Sequence, residues 1–115
     1  MEQINSVELL GNVGSVKYQG TGNKKMAIFN LATSKAYNGK DGAAVIETTW
    51  HNVVAFEGKD VKDLDKLSKG SKVHLKGRIR NQKFTGSDGQ ERYSNEILAS
   101  KLSVLDTDEA LSTEL

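Results

Sequence analysis

The sequence predicts an all-β domain, a five-stranded Greek-key barrel with one short helix between strands 3 and 4. Three observations support this prediction. Runs rich in Val, Ile, Thr and aromatic residues are separated by Gly, Asn and Asp, which is typical of strands joined by turns. One central segment changes to a repeat of three residues, as in a short amphipathic helix. The length of 115 residues fits a single domain with one modest core.

Three predicted strands precede the helix. The first runs from about Val7 to Tyr18, and Gly11 and Gly14 inside it predict a bulge or a sharp bend. The second and third strands enclose a loop rich in Gly, Asn and Asp. In chain order, the second strand, the loop and the third strand are Met26–Ser34, Tyr37–Ala43 and Val45–Phe56.

The predicted helix covers Lys59–Leu67. Its apolar residues recur every three positions with charged residues between them, at Val61, Leu64 and Leu67. Asp60 is the predicted N-terminal cap, and Gly70 follows shortly after the end of the helix.

The remaining sequence predicts two or three further strands. Ser71–Phe84 alternates between apolar and polar residues, and Gly86–Gly89 is a hairpin-turn signal. Tyr93–Ala99 and Leu102–Leu105 complete the β content. A single helix between strands 3 and 4 favours a barrel of the OB type, although composition leaves other small barrels open.

Several classes of protein are excluded or disfavoured by composition. The chain has no Cys, so it has no disulfide framework, zinc finger or thiol nucleophile. His51 and His74 lack metal-ligand spacing, and no phosphate-binding glycine loop is present. The N-terminus does not resemble a signal peptide, and no apolar run is long enough to span a membrane. We therefore expect a cytoplasmic protein that is not an enzyme and uses no metal or cofactor.

The net charge of +1 conceals an uneven distribution. Residues 106–115 hold four acidic side chains and no Lys or Arg, so residues 1–105 carry a net charge of +5. The sequence therefore predicts a basic domain over residues 1–105 and a short acidic tail over residues 106–115.

The fourth predicted strand, Ser71–Phe84, concentrates positive charge. It holds five Lys and Arg side chains and no acid. One reading is a solvated outer face; the other is a binding surface for an anion, because like charges in one strand repel each other.

Aromatic residues provide a second signal. Trp50 and Phe56 are six residues apart, so they lie on one face of an extended strand, with Val53 and Ala55 on the opposite face. They are either core residues or rings on which bases stack. Phe29 is assigned to the core, whereas Tyr18 and Tyr93 stay undecided.

Five motifs in this order resemble the bacterial-type single-stranded DNA-binding protein family, over about residues 4–105. They are Asn5–Gly14, Leu31–Ser34, Thr49–Phe56, Leu67–Val73 and Gly89–Tyr93 with Glu96. The resemblance implies an OB fold that binds single-stranded DNA without sequence specificity in replication, recombination or repair. It also implies a homotetramer built from dimers, although the residues themselves leave dimer and tetramer open.

The resemblance also implies site residues. The stacking aromatics of the family correspond to Tyr37, Trp50, Phe56 and Phe84. Position in the sequence suggests five phosphate contacts, which are Lys35, Lys69, Lys72, Arg80 and Lys83. An oligomer interface is expected at Val7, Leu9 and His51, partly because an open barrel leaves strand edges that need cover.

One departure from the family leaves its protein partners open. Relatives usually continue through a flexible linker to an acidic tip ending in Pro-Phe, which docks replication and repair enzymes. This sequence ends Ser112–Leu115, with acid but no Pro or Phe. Two alternatives therefore stand beside the strand-binding hypothesis: a primosomal or recombination adaptor acting mainly through proteins, and an enzyme or RNA-binding barrel.

Overall fold

The computed structural model describes residues 2–21 and 24–105. The predicted acidic tail, residues 106–115, lies outside the described residues. Five strands follow one another along the chain, with a single 3-10 turn (Leu64–Lys66) between the third and the fourth. The strands are β1 (Val7–Thr21), β2 (Lys24–Asn38), β3 (Ala44–Phe56), β4 (Lys72–Thr85) and β5 (Glu91–Leu105).

The strands form a closed barrel in the order β1-β2-β3-β5-β4, with β4 pairing back to β1. All neighbours are antiparallel except β3 and β5, whose short parallel contact centres on Val54 and Leu98. The all-β, five-stranded prediction is confirmed. The barrel is closed rather than open, so the strand edges expected of an open barrel are reduced to the part of β1 that pairs with β4 alone.

β1 closes the barrel because it bends from one neighbour to the other. Its residues 7–12 pair with β4, and its residues 12–21 pair with β2, with an irregular register between Val13 and Val16. The bend falls at the two glycines from which the sequence predicted it. A side chain at Gly11 would overlap the carbonyl group of Ala32, so the close approach of β1 to β2 requires glycine there.

The core follows the alternation of the strands. Side chains of one parity point inwards from all five strands, and Phe29 is buried as the sequence predicted. Val53 and Ala55, placed by the sequence on the face opposite Trp50, are buried too. We call this parity the inner face and the solvent-facing parity the outer face. The fully buried side chains of the inner face include Leu31, Val53, Val73 and Leu75.

The segment before β4 differs from the predicted helix. Only Leu64–Lys66 is helical, as one 3-10 turn, and it has no side-chain cap. Asp60 is not the cap, because Asp63 precedes the turn, while the Asp60 carbonyl accepts a hydrogen bond from the Leu102 N–H. The three apolar positions are nevertheless buried, and a period of three is also that of a 3-10 helix. They are Val61, Leu64 and Leu67.

Three strands are longer than predicted, because β1 also continues to Thr21. β2 continues through Tyr37, which pairs with Val45, so the predicted loop begins two residues later. The last two predicted runs are one strand, β5, with a register shift at Ser100. As a result, two hairpins extend past the pairing with other strands. We call them the β2–β3 arm (residues 33–49) and the β4–β5 arm (residues 80–96).

Candidate nucleic-acid interface

Trp50 lies on the outer face of β3, where it pairs with Ala32 of β2. Trp50 is 57% exposed, whereas Val53 and Ala55, which have the opposite parity, are fully buried. The six-membered ring reaches Gly14 of β1, across the width of β2. The indole therefore lies along the sheet surface, and Trp50 is not a core residue.

Two further predicted aromatics share this outer face. Phe56 is six residues from Trp50 on β3, about 20 Å along an extended strand, and is 42% exposed. Phe84 lies on the β4–β5 arm, in register with Arg92, and is 46% exposed. The Val54–Leu98 pair of β3 and β5, and the Leu98–Arg78 pair of β5 and β4, relate the parities of these strands, so all three rings lie on the outer face.

Tyr37 is oriented differently. It is 45% exposed, but its register with Val45 places it on the inner parity of the β2–β3 arm, opposite to Trp50. Lys35 has the same parity as Tyr37 and pairs with Glu47 of β3. The structure therefore brings together Trp50, Phe56 and Phe84 on the outer face, and places Tyr37 and Lys35 on the other side of the arm.

Two predicted phosphate contacts lie next to the segment of β1 that precedes Gly14. Lys69 lies in the loop before β4, and Lys72 begins that strand in register with Asn12. The loop is fastened to β1 because the Gly70 N–H donates to the Val13 carbonyl at 2.7 Å. In the reverse direction, the Val13 N–H donates to a loop carbonyl at 2.9 Å. Positive charge is thus held close to the part of β1 that supports the indole.

The other two predicted phosphate contacts already have acidic partners. Arg80 donates through Nε to Glu96 at 2.9 Å, and the Glu96 side chain is only 13% exposed. Lys83 contacts Glu91 at 3.0 Å, with both side chains exposed. An exposed pair of this kind contributes at most about 1 kcal/mol and exchanges readily for a phosphate, whereas the enclosed Arg80 pair is harder to replace.

β4 is less uniformly basic than its own sequence indicates. Its outer face also meets Glu8 of β1, whose carboxylate lies 2.6 Å from Nε2 of His74. The hydrogen bond from His74, followed by the charge of Lys76, holds the pKa of Glu8 below its ordinary value of 4.5. Both neighbouring strands therefore supply carboxylates, which the reading of β4 alone missed.

A cleft of about 220 Å³ adjoins Trp50, where β3 and β5 separate beyond their short parallel contact. Ile79 has the inner parity of β4, yet it is 49% exposed and lines this cleft. The reason is its position where β4 begins to leave the barrel for the arm. The cleft is lined by Trp50, His51, Asn52, Ile79, Asn95, Glu96 and Ile97.

The residues predicted at an oligomer interface face the inside of this chain. Val7 and Leu9 are partly buried and pack against the core. His51 is half-buried, and its Nε2 lies 2.9 Å from Oγ1 of Thr33. Within the described ranges, residues 7–11 of β1 pair with β4 on one edge while β2 begins to pair only at Asn12. Their other backbone edge is available for a second strand.

No cluster of three metal-binding side chains occurs among residues 2–21 and 24–105. In the same part of the chain, no helix is long and apolar enough to cross a membrane.

The strand order, the closed five-stranded barrel and the turn between β3 and β4 define the OB fold. In OB folds that bind oligonucleotides, the face of strands 2 and 3 carries the contacts, and Trp50 is exposed on this face. The chain belongs to the single-strand binding protein family, whose family model matches residues 4–105.

Individual proteins show the same relationship. A single-stranded DNA-binding protein of Xylella fastidiosa is 40% identical over 105 residues, covering 89% of this chain and 63% of the relative. A single-stranded DNA-binding protein of Neisseria meningitidis is 34% identical over 105 residues, and this match covers 89% of this chain and 60% of the relative. The chain thus spans less than two thirds of the length of these relatives.

Solved structures agree on the fold. A Plasmodium falciparum SSB in complex with ssDNA superposes with a TM-score of 0.78 at 28% identity, covering 92% of this chain and 98% of that one. A deletion mutant of the Thermus aquaticus single-stranded DNA binding protein gives a TM-score of 0.71 at 22% identity, over 90% of this chain and 51% of that one.

Proposed function

We propose that this protein binds single-stranded DNA without sequence preference, and coats and protects unpaired strands during replication, recombination or repair. The observation that carries the proposal is the Trp50 indole, which lies along the outer face of an OB barrel with 57% of its side chain exposed. The membership of the family and the likeness to a solved SSB–ssDNA complex support it.

The chemistry of the surface suits an unpaired strand. Each base stacked on an aromatic ring contributes about 1–3 kcal/mol, and every base has a π face, so stacking discriminates little between sequences. Trp50, Phe56 and Phe84 supply rings on one face, and Tyr37 supplies a fourth where the strand passes round the β2–β3 arm. Duplex DNA, whose bases are already stacked, gains little from these rings.

Lysines provide the phosphate contacts. Lys35, Lys69, Lys72 and Lys83 act directly in this proposal, and Arg80 does so only when it leaves Glu96. Neutralising about four phosphates per subunit gives a log–log dependence on salt with a slope of about −3. Since binding acts on the unpaired state alone, the protein lowers the free energy of that state by mass action.

The proposal includes an assembly. We propose a homotetramer of dimers, in which the available edge of β1 near Val7 and Leu9 pairs with its copy through backbone groups, with His51 close to the contact. Light scattering distinguishes monomer, dimer and tetramer. Docking of replication or repair enzymes stays a prediction, as do the cytoplasmic location and the absence of enzymatic activity. The adaptor alternative is not favoured by the comparisons.

The proposal is tested with a labelled oligo-dT and the corresponding duplex, each titrated with the protein while anisotropy is followed. We expect saturable binding of oligo-dT and much weaker binding of the duplex. Trp50→Ala and Phe84→Ala should each weaken oligo-dT binding by about 1–3 kcal/mol, with little change in melting temperature. Ile46→Ala, which truncates an exposed apolar side chain without a ring, serves as the control. Equal affinity for oligo-dT and for the duplex would contradict the proposal.

A further inference from the structure

The ring of Trp50 rests against a residue that has no side chain. A Cβ placed on Gly14 would lie 2.6 Å from Cζ3 and 2.9 Å from Cη2 of the indole. It would also lie 2.8 Å from Oδ1 of Asn30. Real Cβ atoms essentially never come this close to a neighbour, so any side chain at Gly14 would require the indole or Asn30 to move.

The position of Gly14 is fixed by a side chain of the next strand. Gly14 lies in the irregular part of β1, between Val13 and Val16. Oδ1 of Asn30 accepts a hydrogen bond from the Ser15 N–H at 2.7 Å and lies 3.2 Å from the Ser15 hydroxyl. Asn30 has the outer parity of β2, two residues from Ala32, which pairs with Trp50. One amide therefore holds the bulge beside the indole.

The backbone itself does not require glycine at this position. Among the described glycines, the left-handed region that favours glycine is occupied by Gly42, Gly70 and Gly89, and Gly14 is not one of them. An alanine could adopt the backbone of Gly14, and only the space taken by Trp50 and Asn30 excludes it. The absence of a side chain is therefore explained by the indole and the Asn30 amide, and not by the backbone conformation.

We infer that Gly14 is a positioning residue for strand binding. Because it has no side chain, the Trp50 indole can pack against β1 at this point, and Asn30 holds this part of β1 in place; we call Gly14 with its Asn30 support the indole seat. The inference rests on the proposed function, in which Trp50 stacks on a base. Cζ3 and Cη2 of the ring are held against Gly14, and Trp50 as a whole is 57% exposed, so part of the ring stays open to a base. A ring already held in this orientation loses less conformational freedom when DNA binds.

The test uses the indole itself, because Trp50 is the only tryptophan of the chain. In Gly14→Ala, without DNA, we expect a shifted emission maximum and faster quenching by acrylamide, since the ring is lifted from its seat. Oligo-dT affinity should fall about tenfold, while the melting temperature changes little because an exposed ring can move. Gly58→Ala is the matched control, since its Cβ would have only the Phe56 carbonyl oxygen nearby, at 3.9 Å.

A second pair of variants keeps the inference testable if Gly14→Ala fails to fold. Asn30→Ala removes the acceptor of the Ser15 N–H and should reproduce the fluorescence change, whereas Asn30→Asp retains an acceptor oxygen and should restore the wild-type signal. The positioning role of Gly14 is refuted if either of two quantities matches wild type in both Gly14→Ala and Asn30→Ala. These are the acrylamide quenching of Trp50 and the affinity for oligo-dT. Failure of the proposed function looks different, because wild type would then not bind oligo-dT, or Trp50→Ala would bind it as wild type does.

Discussion

Arg80 is the residue whose surroundings most affect the charge of the proposed surface. Its guanidinium is held by Glu96 next to the cleft that Trp50 lines, so a phosphate must compete with a carboxylate that is only 13% exposed. A partly enclosed pair of this kind resists exchange more than a pair at the rim. Glu96 therefore limits how much Arg80 adds to strand binding.

Removing that carboxylate charge should release Arg80. We expect Glu96→Gln to raise oligo-dT affinity at low salt and to steepen the log–log salt slope by about 0.7 per subunit, the value for one added phosphate contact on a single strand. Glu91→Gln is the control, because its partner Lys83 is exposed and already exchanges. The measurement is a salt series of anisotropy titrations, and an unchanged slope in Glu96→Gln would show that Arg80 makes no phosphate contact.

The sequence predicted which residues share a face of a strand, but it did not predict their ion-pair partners on other strands. The spacing of Trp50 and Phe56 predicted that they share one face of β3, with Val53 and Ala55 on the other, and the structure shows that Trp50 and Phe56 are on the exposed face. Parity in a strand is a local property, so it does not depend on the neighbours. The partners Glu96 and Glu8 come from other strands, and only the pairing register reveals them.

At the scale of elements, the predicted helix between strands 3 and 4 is present but is a single 3-10 turn, shorter than the sequence pattern indicated. Every third residue is buried, as predicted, but the local hydrogen bonds form one turn instead of a helix. The turn is also tied to β1, since the Tyr18 hydroxyl lies 2.8 Å from the Leu64 carbonyl and 2.6 Å from that of Leu67. Tyr18, undecided from sequence, therefore holds the turn against the barrel.

The hydrogen bonds of the Tyr18 hydroxyl to the 3-10 turn can be removed by deleting that single oxygen atom. Tyr18→Phe should lower the free energy of unfolding by about 1 kcal/mol, because two carbonyl groups lose a shared donor. The control is Tyr93→Phe, at a ring that is 71% exposed, which should leave stability unchanged. Denaturant unfolding measures both. Equal stability of wild type and Tyr18→Phe would contradict a structural role for the hydroxyl.

The pairing of β1 with β4 should depend on pH. The hydrogen bond from His74 lowers the pKa of Glu8 below its ordinary value of 4.5. Ionised Glu8 therefore stabilises the fold fully at pH values above 4.5. This contribution is lost as the pH falls through the lowered folded-state pKa. Melting temperatures of wild type and Glu8→Gln should therefore differ near neutral pH and converge in acid. A difference that persists at low pH would exclude this source.

At the scale of the whole molecule, strand order and closure depend on contacts that no local pattern contains. The parallel contact between β3 and β5 comprises three residue pairs, and the β1–β4 pairing joins residues 60 to 70 positions apart. The sequence predicted the strands and, through five motifs, the family, which the family model confirms over residues 4–105. It did not predict the closed edge between β1 and β4.

The charge of the whole molecule fits the proposed partner. Residues 1–105 carry a net charge of +5, and Lys69 and Lys72 lie close to the segment of β1 that supports the indole. The electrostatic attraction should be strong at low salt and fall steeply as salt rises. Stacking on the rings should persist at higher salt, because it does not depend on counterion release.

The most direct test of strand binding is the intrinsic fluorescence of Trp50 during a titration with unlabelled oligo-dT. Since the chain has a single tryptophan, any quenching reports on that ring alone. We predict strong, saturable quenching by oligo-dT, with an apparent affinity that weakens as salt is raised, and little quenching by duplex DNA of the same length. Unchanged Trp50 fluorescence at saturating oligo-dT, or equal quenching by the duplex, would contradict the account.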